Sequence, residues 1–76
     1  MTYETLLKKF NDKKVLKFNL YNINYMIEQK SNYVDIRASY YEKRLHKFKS
    51  FEDLMENYTV YNEPLLNQMD RIIIID

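Results

Sequence analysis

His46 is the only histidine in the chain, and Lys43, Arg44, Lys47 and Lys49 surround it. An imidazole among cations loses its proton readily, as a general base must, but no carboxylate stands at a spacing that would orient it. The serines offer no alternative. Ser31 falls in an expected turn, Ser39 on a strand's polar face and Ser50 at a helix cap, so no nucleophile, base and orienting group come together. Glu52 and Glu56 are four apart on one helix face beside Asp53. With no further ligand nearby they read as a solvated face rather than a cation site. The absence of Cys excludes thiolate catalysis, thiolate metal sites and disulfides. The absence of Gly excludes the loops that cradle nucleotide phosphates. A non-enzyme without metal or cofactor is the expectation, and no residue set defines an activity.

Two binding chemistries remain. The run Lys43-Arg44-Leu45-His46-Lys47-Phe48-Lys49 holds four fixed positive charges and follows Tyr40-Tyr41. Cations track phosphates and exposed rings stack on bases. Lys43, Arg44, Lys47 and Lys49 are therefore candidate contacts to nucleic acid or to an acidic partner, with Tyr21, Tyr33 and Tyr41 as exposed sheet tyrosines. Residues 1–50 carry eleven Lys or Arg against five acids, while 51–76 carry Arg71 against six, so a net charge of +1 conceals two unlike halves. The other chemistry is apolar. Tyr21, Met26, Tyr33 and Tyr41 would form a mixed patch of the kind enriched at protein interfaces. Ile72 to Ile75, flanked by Asp70, Arg71 and Asp76, is a sticky segment with charged gatekeepers. The leading expectation is a small non-enzymatic protein-binding or homo-oligomerising module, its partner unidentified. The alternative is a nucleic-acid-binding accessory protein.

The elements that must position these residues follow from periodicity. Seventy-six residues with 46% hydrophobic and 30% charged composition form one small domain. The longest aliphatic run is four residues, too short to span a bilayer. Met1-Thr2-Tyr3-Glu4 lacks the layout of a signal peptide, giving the expectation of a cytoplasmic protein. Tyr3, Leu6, Leu7 and Phe10 form a helical stripe capped by Thr2 and ended at Asn11-Asp12, about two turns long. Three alternating runs then read as strands. Leu16, Phe18 and Leu20 share a face, as do Ile23, Tyr25 and Ile27, and Val34, Ile36, Ala38 and Tyr40.

Parity fixes their pairing. Directly opposed residues of an antiparallel hairpin share a face, so each loop holds an even number of residues. A loop at Tyr21-Asn22 or Asn22-Ile23 satisfies the first hairpin, and one near Lys30-Ser31-Asn32 the second. A short fourth strand fits 44–48. Ser50 caps a helix carrying Phe51, Leu54, Met55 and Tyr58. Asn62-Glu63-Pro64 opens another expected helix, to about Asp70, before a short strand in the isoleucine run. Both faces of that strand are expected to be covered, by this chain or by another. The fold expected is α+β: an antiparallel meander of three to four strands with short helices packed on one face.

At Phe48-Lys49-Ser50-Phe51-Glu52-Asp53-Leu54-Met55, after a hairpin of alternating aromatic and aliphatic residues, the chain resembles a loose group of small uncharacterised proteins. These belong to low-G+C Gram-positive bacteria and their mobile elements, and the likeness spans roughly residues 15–75. The resemblance implies hairpin strands, a capped helix and a closing segment. The group has no agreed activity, so it implies no functional residue.

Overall fold

Thr2 begins the first helix, α1 (Tyr3–Lys13), by accepting the amide of Thr5 at 3.2 Å. The structure is a computed structural model that describes residues 2–38 and 46–75. Leu6 and Phe10 are buried from α1. The helix runs through Asn11-Asp12, further than the sequence suggests. It stops where Lys14 adopts a left-handed conformation (φ 63°) and returns its amide to the Phe10 carbonyl at 2.7 Å. That geometry costs a non-glycine residue roughly 1–2 kcal/mol. Lys14→Gly is therefore expected to raise stability by up to about 1 kcal/mol, part of the gain being offset by the greater backbone entropy of glycine. Urea unfolding checks this. A lowered midpoint would mean that the lysine side chain contributes more than the backbone strain removes.

The chain continues through β1 (Val15–Leu20), β2 (Ile23–Gln29), β3 (Val34–Ala38) and β4 (His46–Phe48). Helix α2 (Phe51–Asn57), strands β5 (Thr59–Val60) and β6 (Glu63–Pro64), a 3-10 turn (Leu65–Gln68) and β7 (Ile73–Ile74) complete it. Among the described residues the main sheet has the order β4-β3-β2-β1-β7, antiparallel throughout. The meander is thus extended by a fifth strand from near the end of the sequence. Leu20 pairs with Ile23, which leaves Tyr21-Asn22 as a two-residue turn. Both turn residues have positive φ, 53° and 64°, the conformation whose twist matches hairpin strands. Gln29 pairs with Val34, and the Lys30 amide donates to the Tyr33 carbonyl at 2.8 Å across that turn.

Register assigns the two faces. Leu16, Phe18, Leu20, Tyr25, Ile27, Val34, Ile36 and Ala38 point inward and are buried. Both helices cover them, with the Phe10 and Phe51 rings stacked at 4.7 Å between α1 and α2. Ser50 starts α2 by accepting the Asp53 amide at 3.0 Å, as its position before Phe51-Glu52-Asp53 implies.

The region after α2 departs from the expected helix over 63–70. Pro64 is extended (φ −60°, ψ 149°) and pairs with Thr59. Tyr61-Asn62 forms a second turn with φ of 54° and 64°, which folds β5 onto β6. Gln68 is fully buried, and its Nε2 donates to the carbonyls of Val60 (3.0 Å) and Glu63 (2.9 Å). Pairing with Thr59 keeps Pro64 extended, and only the 3-10 turn over Leu65–Gln68 follows it. The isoleucine run holds the expected short strand, β7. Ile72 is buried and Ile74 half-buried on the inner face, but Ile73 and Ile75 remain 64% and 51% exposed. Among the described residues, one face of β7 is therefore covered and the other is open.

Candidate protein-interaction surface

The outer face of the sheet follows from the same registers. It bears Lys17 and Asn19 on β1, Met26 and Glu28 on β2, Asp35 and Arg37 on β3, and Lys47 on β4. Asn19 is opposite Ile73, and the Ile75 amide donates to the Lys17 carbonyl at 2.9 Å. Ile73 and Ile75 thus join this face at the β7 edge. Both described helices pack on the inner side. Met26, Lys17, Arg37 and Ile75 border a shallow depression of about 350 Å³. A second depression lies between the end of α1 and β7, where Lys9, Asp12 and Lys13 approach Ile74 and Ile75.

Charge on the other half of the face is locally engaged. Glu28 and Asp35 oppose each other across β2 and β3, an unfavourable pairing for like charges. The Arg37 guanidinium reaches Asp35 at 3.0 Å and Glu28 at 3.7 Å, and Lys30 reaches Glu28 at 3.4 Å. The hydrogen bond and charge of Asp35 raise the Arg37 pKa above its ordinary value. Asp35 is buried, and among the described residues its Oδ1 accepts no hydrogen bond. Lys47, directly across from Asp35, places its Nζ 4.7 Å from the centre of the Tyr33 ring, a cation–π contact.

The expected interface residues do not form one patch. Met26 lies on the outer face. Tyr21 lies in the first hairpin turn and Tyr33 just before β3, at opposite ends of the sheet rather than on strand faces. The reason is the two-residue turn, which takes Tyr21 out of the alternation. Tyr41, Lys43 and Arg44 lie outside the described residues. Lys49 is exposed next to the α2 cap, where its amide donates to Asp53 at 3.0 Å. His46 points inward opposite Ile36, its ring edge-on to Tyr58 at 5.4 Å. Asp53 also accepts from Asn57 at 2.7 Å, so this carboxylate serves the helix. Among the described residues no group of three or more His, Cys, Asp or Glu is placed to hold a metal ion.

One cluster was not anticipated. The two Tyr-Asn turns lie together, with the Tyr21 and Tyr61 rings edge to face at 5.0 Å. Arg71 joins them, donating to the Tyr21 hydroxyl and to Glu63, each at 3.3 Å. The hydrogen bond to Tyr21 leads the effects that raise the Arg71 pKa. The repeated dipeptide at 21–22 and 61–62 is the sequence signal for it.

No family model matches the chain, and neither a curated protein nor a solved structure shows significant similarity to it. Among the described residues no helix is long and apolar enough to cross a membrane.

Proposed function

We propose that the protein is a small, non-enzymatic protein-binding module of the cytoplasm that engages its partner through the outer sheet face at β7. The observation that carries this reading is the exposure of Ile73 and Ile75 side by side on an open sheet face. Fully burying an exposed isoleucine gains about 1.5–3 kcal/mol. Half-buried Met26 extends the apolar surface, and Lys17 and Arg37 flank it, the mixture of apolar centre and polar rim found at interfaces.

The test is purification of tagged protein from its native host beside the double variant Ile73→Lys, Ile75→Lys. Both side chains already meet solvent, so the variant is expected to unfold at nearly the parent's urea midpoint. A protein partner recovered in fixed ratio with the parent and lost from the variant supports the reading. Recovery of nucleic acid instead, or of the same partner with both forms, counts against it.

A further inference from the structure

Going beyond the binding reading, and resting on it only for what the isoleucines meet, we propose that Arg71 sets the register of β7. It does so by clasping Tyr21 and Glu63, and thereby decides which isoleucines the outer face presents. β7 belongs to a run of four identical residues, Ile72 to Ile75. A strand's register is ordinarily specified by which of its residues belong in the core, because a one-residue slip moves every side chain to the opposite face. Here a slip would put Ile72 and Ile74 on the outer face in place of Ile73 and Ile75, and would bury isoleucine side chains as before. Main-chain hydrogen bonds re-form in either register. The run therefore cannot choose its own alignment, yet it has one: Ile73 lies opposite Asn19 and Ile74 opposite Phe18, with the Ile75 amide bonded to the Lys17 carbonyl.

Counting back two positions from Ile73, and on two from Asn19, brings Arg71 opposite Tyr21. That is where the side chains meet. One guanidinium nitrogen of Arg71 donates to the Tyr21 hydroxyl and to the Glu63 carboxylate, each at 3.3 Å. A one-residue slip would carry Arg71 about 3.4 Å along β1 and turn its side chain to the other face, so both bonds would break. No neighbour could replace it, because Arg71 is the only Lys or Arg in residues 51–76. Its acceptor is itself held in place. Tyr21 sits in a two-residue turn at φ 53°, and its ring meets that of Tyr61, at φ 54° in the second turn, edge to face at 5.0 Å. A bulky residue kept twice in this strained conformation points to a purpose for the rings it brings together.

Arg71→Ala and Tyr21→Phe test this beside the parent, by nuclear magnetic resonance of the full chain. Cross-strand contacts of Phe18 and Asn19 with the isoleucines report the register, and relaxation dispersion reports a minor one. The parent is expected to show Phe18 against Ile74 and Asn19 against Ile73. Each variant is expected to raise the population of a second set, with Asn19 against Ile72 or Ile74, about threefold to tenfold, as suits a charged hydrogen bond weakened by exposure. The double variant should match Arg71→Ala, since both changes remove the same bond to Tyr21. Arg71 and Tyr21 are exposed, so the urea midpoint of either variant should stay close to the parent's.

A single register in both variants would overturn the proposal. So would a lowered urea midpoint with no second set of contacts, which would make the clasp a general support rather than a register pin. If both variants keep one register, yet the host partner is lost with the Ile73 and Ile75 double variant, the pin fails and the protein-binding reading stands. If the second register appears, yet that double variant keeps the partner, the pin stands and the binding reading fails.

Discussion

Phe18→Ala is expected to cost about 3–5 kcal/mol, close to the whole stability of a chain this size at the lower end of its range, about 4–11 kcal/mol. Phe18 is fully buried, its ring stacked on Tyr25 at 5.1 Å. Ile27, Ile36 and Leu54 are fully buried in the same cluster. The side chain lies on the central-facing side of β1, where β2 flanks it through Tyr25 and β7 through Ile74. Truncation leaves a cavity that paired strands on both sides cannot close, which places the cost toward the upper end. Urea unfolding of parent and variant measures it. A variant that melts within a few degrees of the parent would overturn the assignment of strand faces.

Gln68→Leu is expected to cost about 2–4 kcal/mol, even though leucine fills similar space and is more apolar. The amide nitrogen of the fully buried Gln68 serves two backbone carbonyls, of Val60 and Glu63. Each buried acceptor left without a donor costs about 1–3 kcal/mol. The loss should disorder the β5–β6 hairpin before the sheet. Near-ultraviolet circular dichroism from Tyr58 and Tyr61 would then change at denaturant concentrations that leave the β-sheet signal intact. Gln68→Glu offers a comparison, since it keeps the shape but replaces the amide donors with a carboxyl group that either buries a charge or donates one proton. If either variant is as stable as the parent, the two hydrogen bonds contribute nothing net.

What could be read in the sequence, and what could not, divides by the range of the interactions. Leu16, Phe18 and Leu20, then Tyr25 and Ile27, then Val34, Ile36 and Ala38 alternate because one side of each strand is buried, and parity required loops of even length without choosing among them. Ser50 announces α2 through its own local hydrogen bond. Residues 63–70 could not be read this way. Their apolar spacing suits a helix, but Pro64 is extended and paired with Thr59, and no local pattern records that pairing. The end of α1 was set too early because Asn11 and Asp12 look like terminators. The true stop is the backbone conformation of Lys14, a residue type with no preference for it. The exposed Ile73 and Ile75 were visible as a run of isoleucines. Which two would face outward depended on pairing with β1, more than fifty positions away in the sequence. Asp35, on the outer face yet buried, follows from the side chains around it and has no signature of its own.

The strand order β4-β3-β2-β1-β7 has a kinetic meaning. The Tyr21-Asn22 turn closes over two residues, whereas β7 meets β1 only when Ile73 finds Asn19. Loop-closure entropy makes the longer connection roughly 3 kcal/mol harder to form, and burial of Ile72 with half-burial of Ile74 offsets it only once the core they pack on exists. β7 is therefore expected to join the sheet late. The Ile75 amide, bonded to Lys17 at 2.9 Å, is expected to exchange its hydrogen through local opening of the sheet edge rather than through global unfolding. The free margin of β1 is consequently the part of the sheet most often without a neighbour.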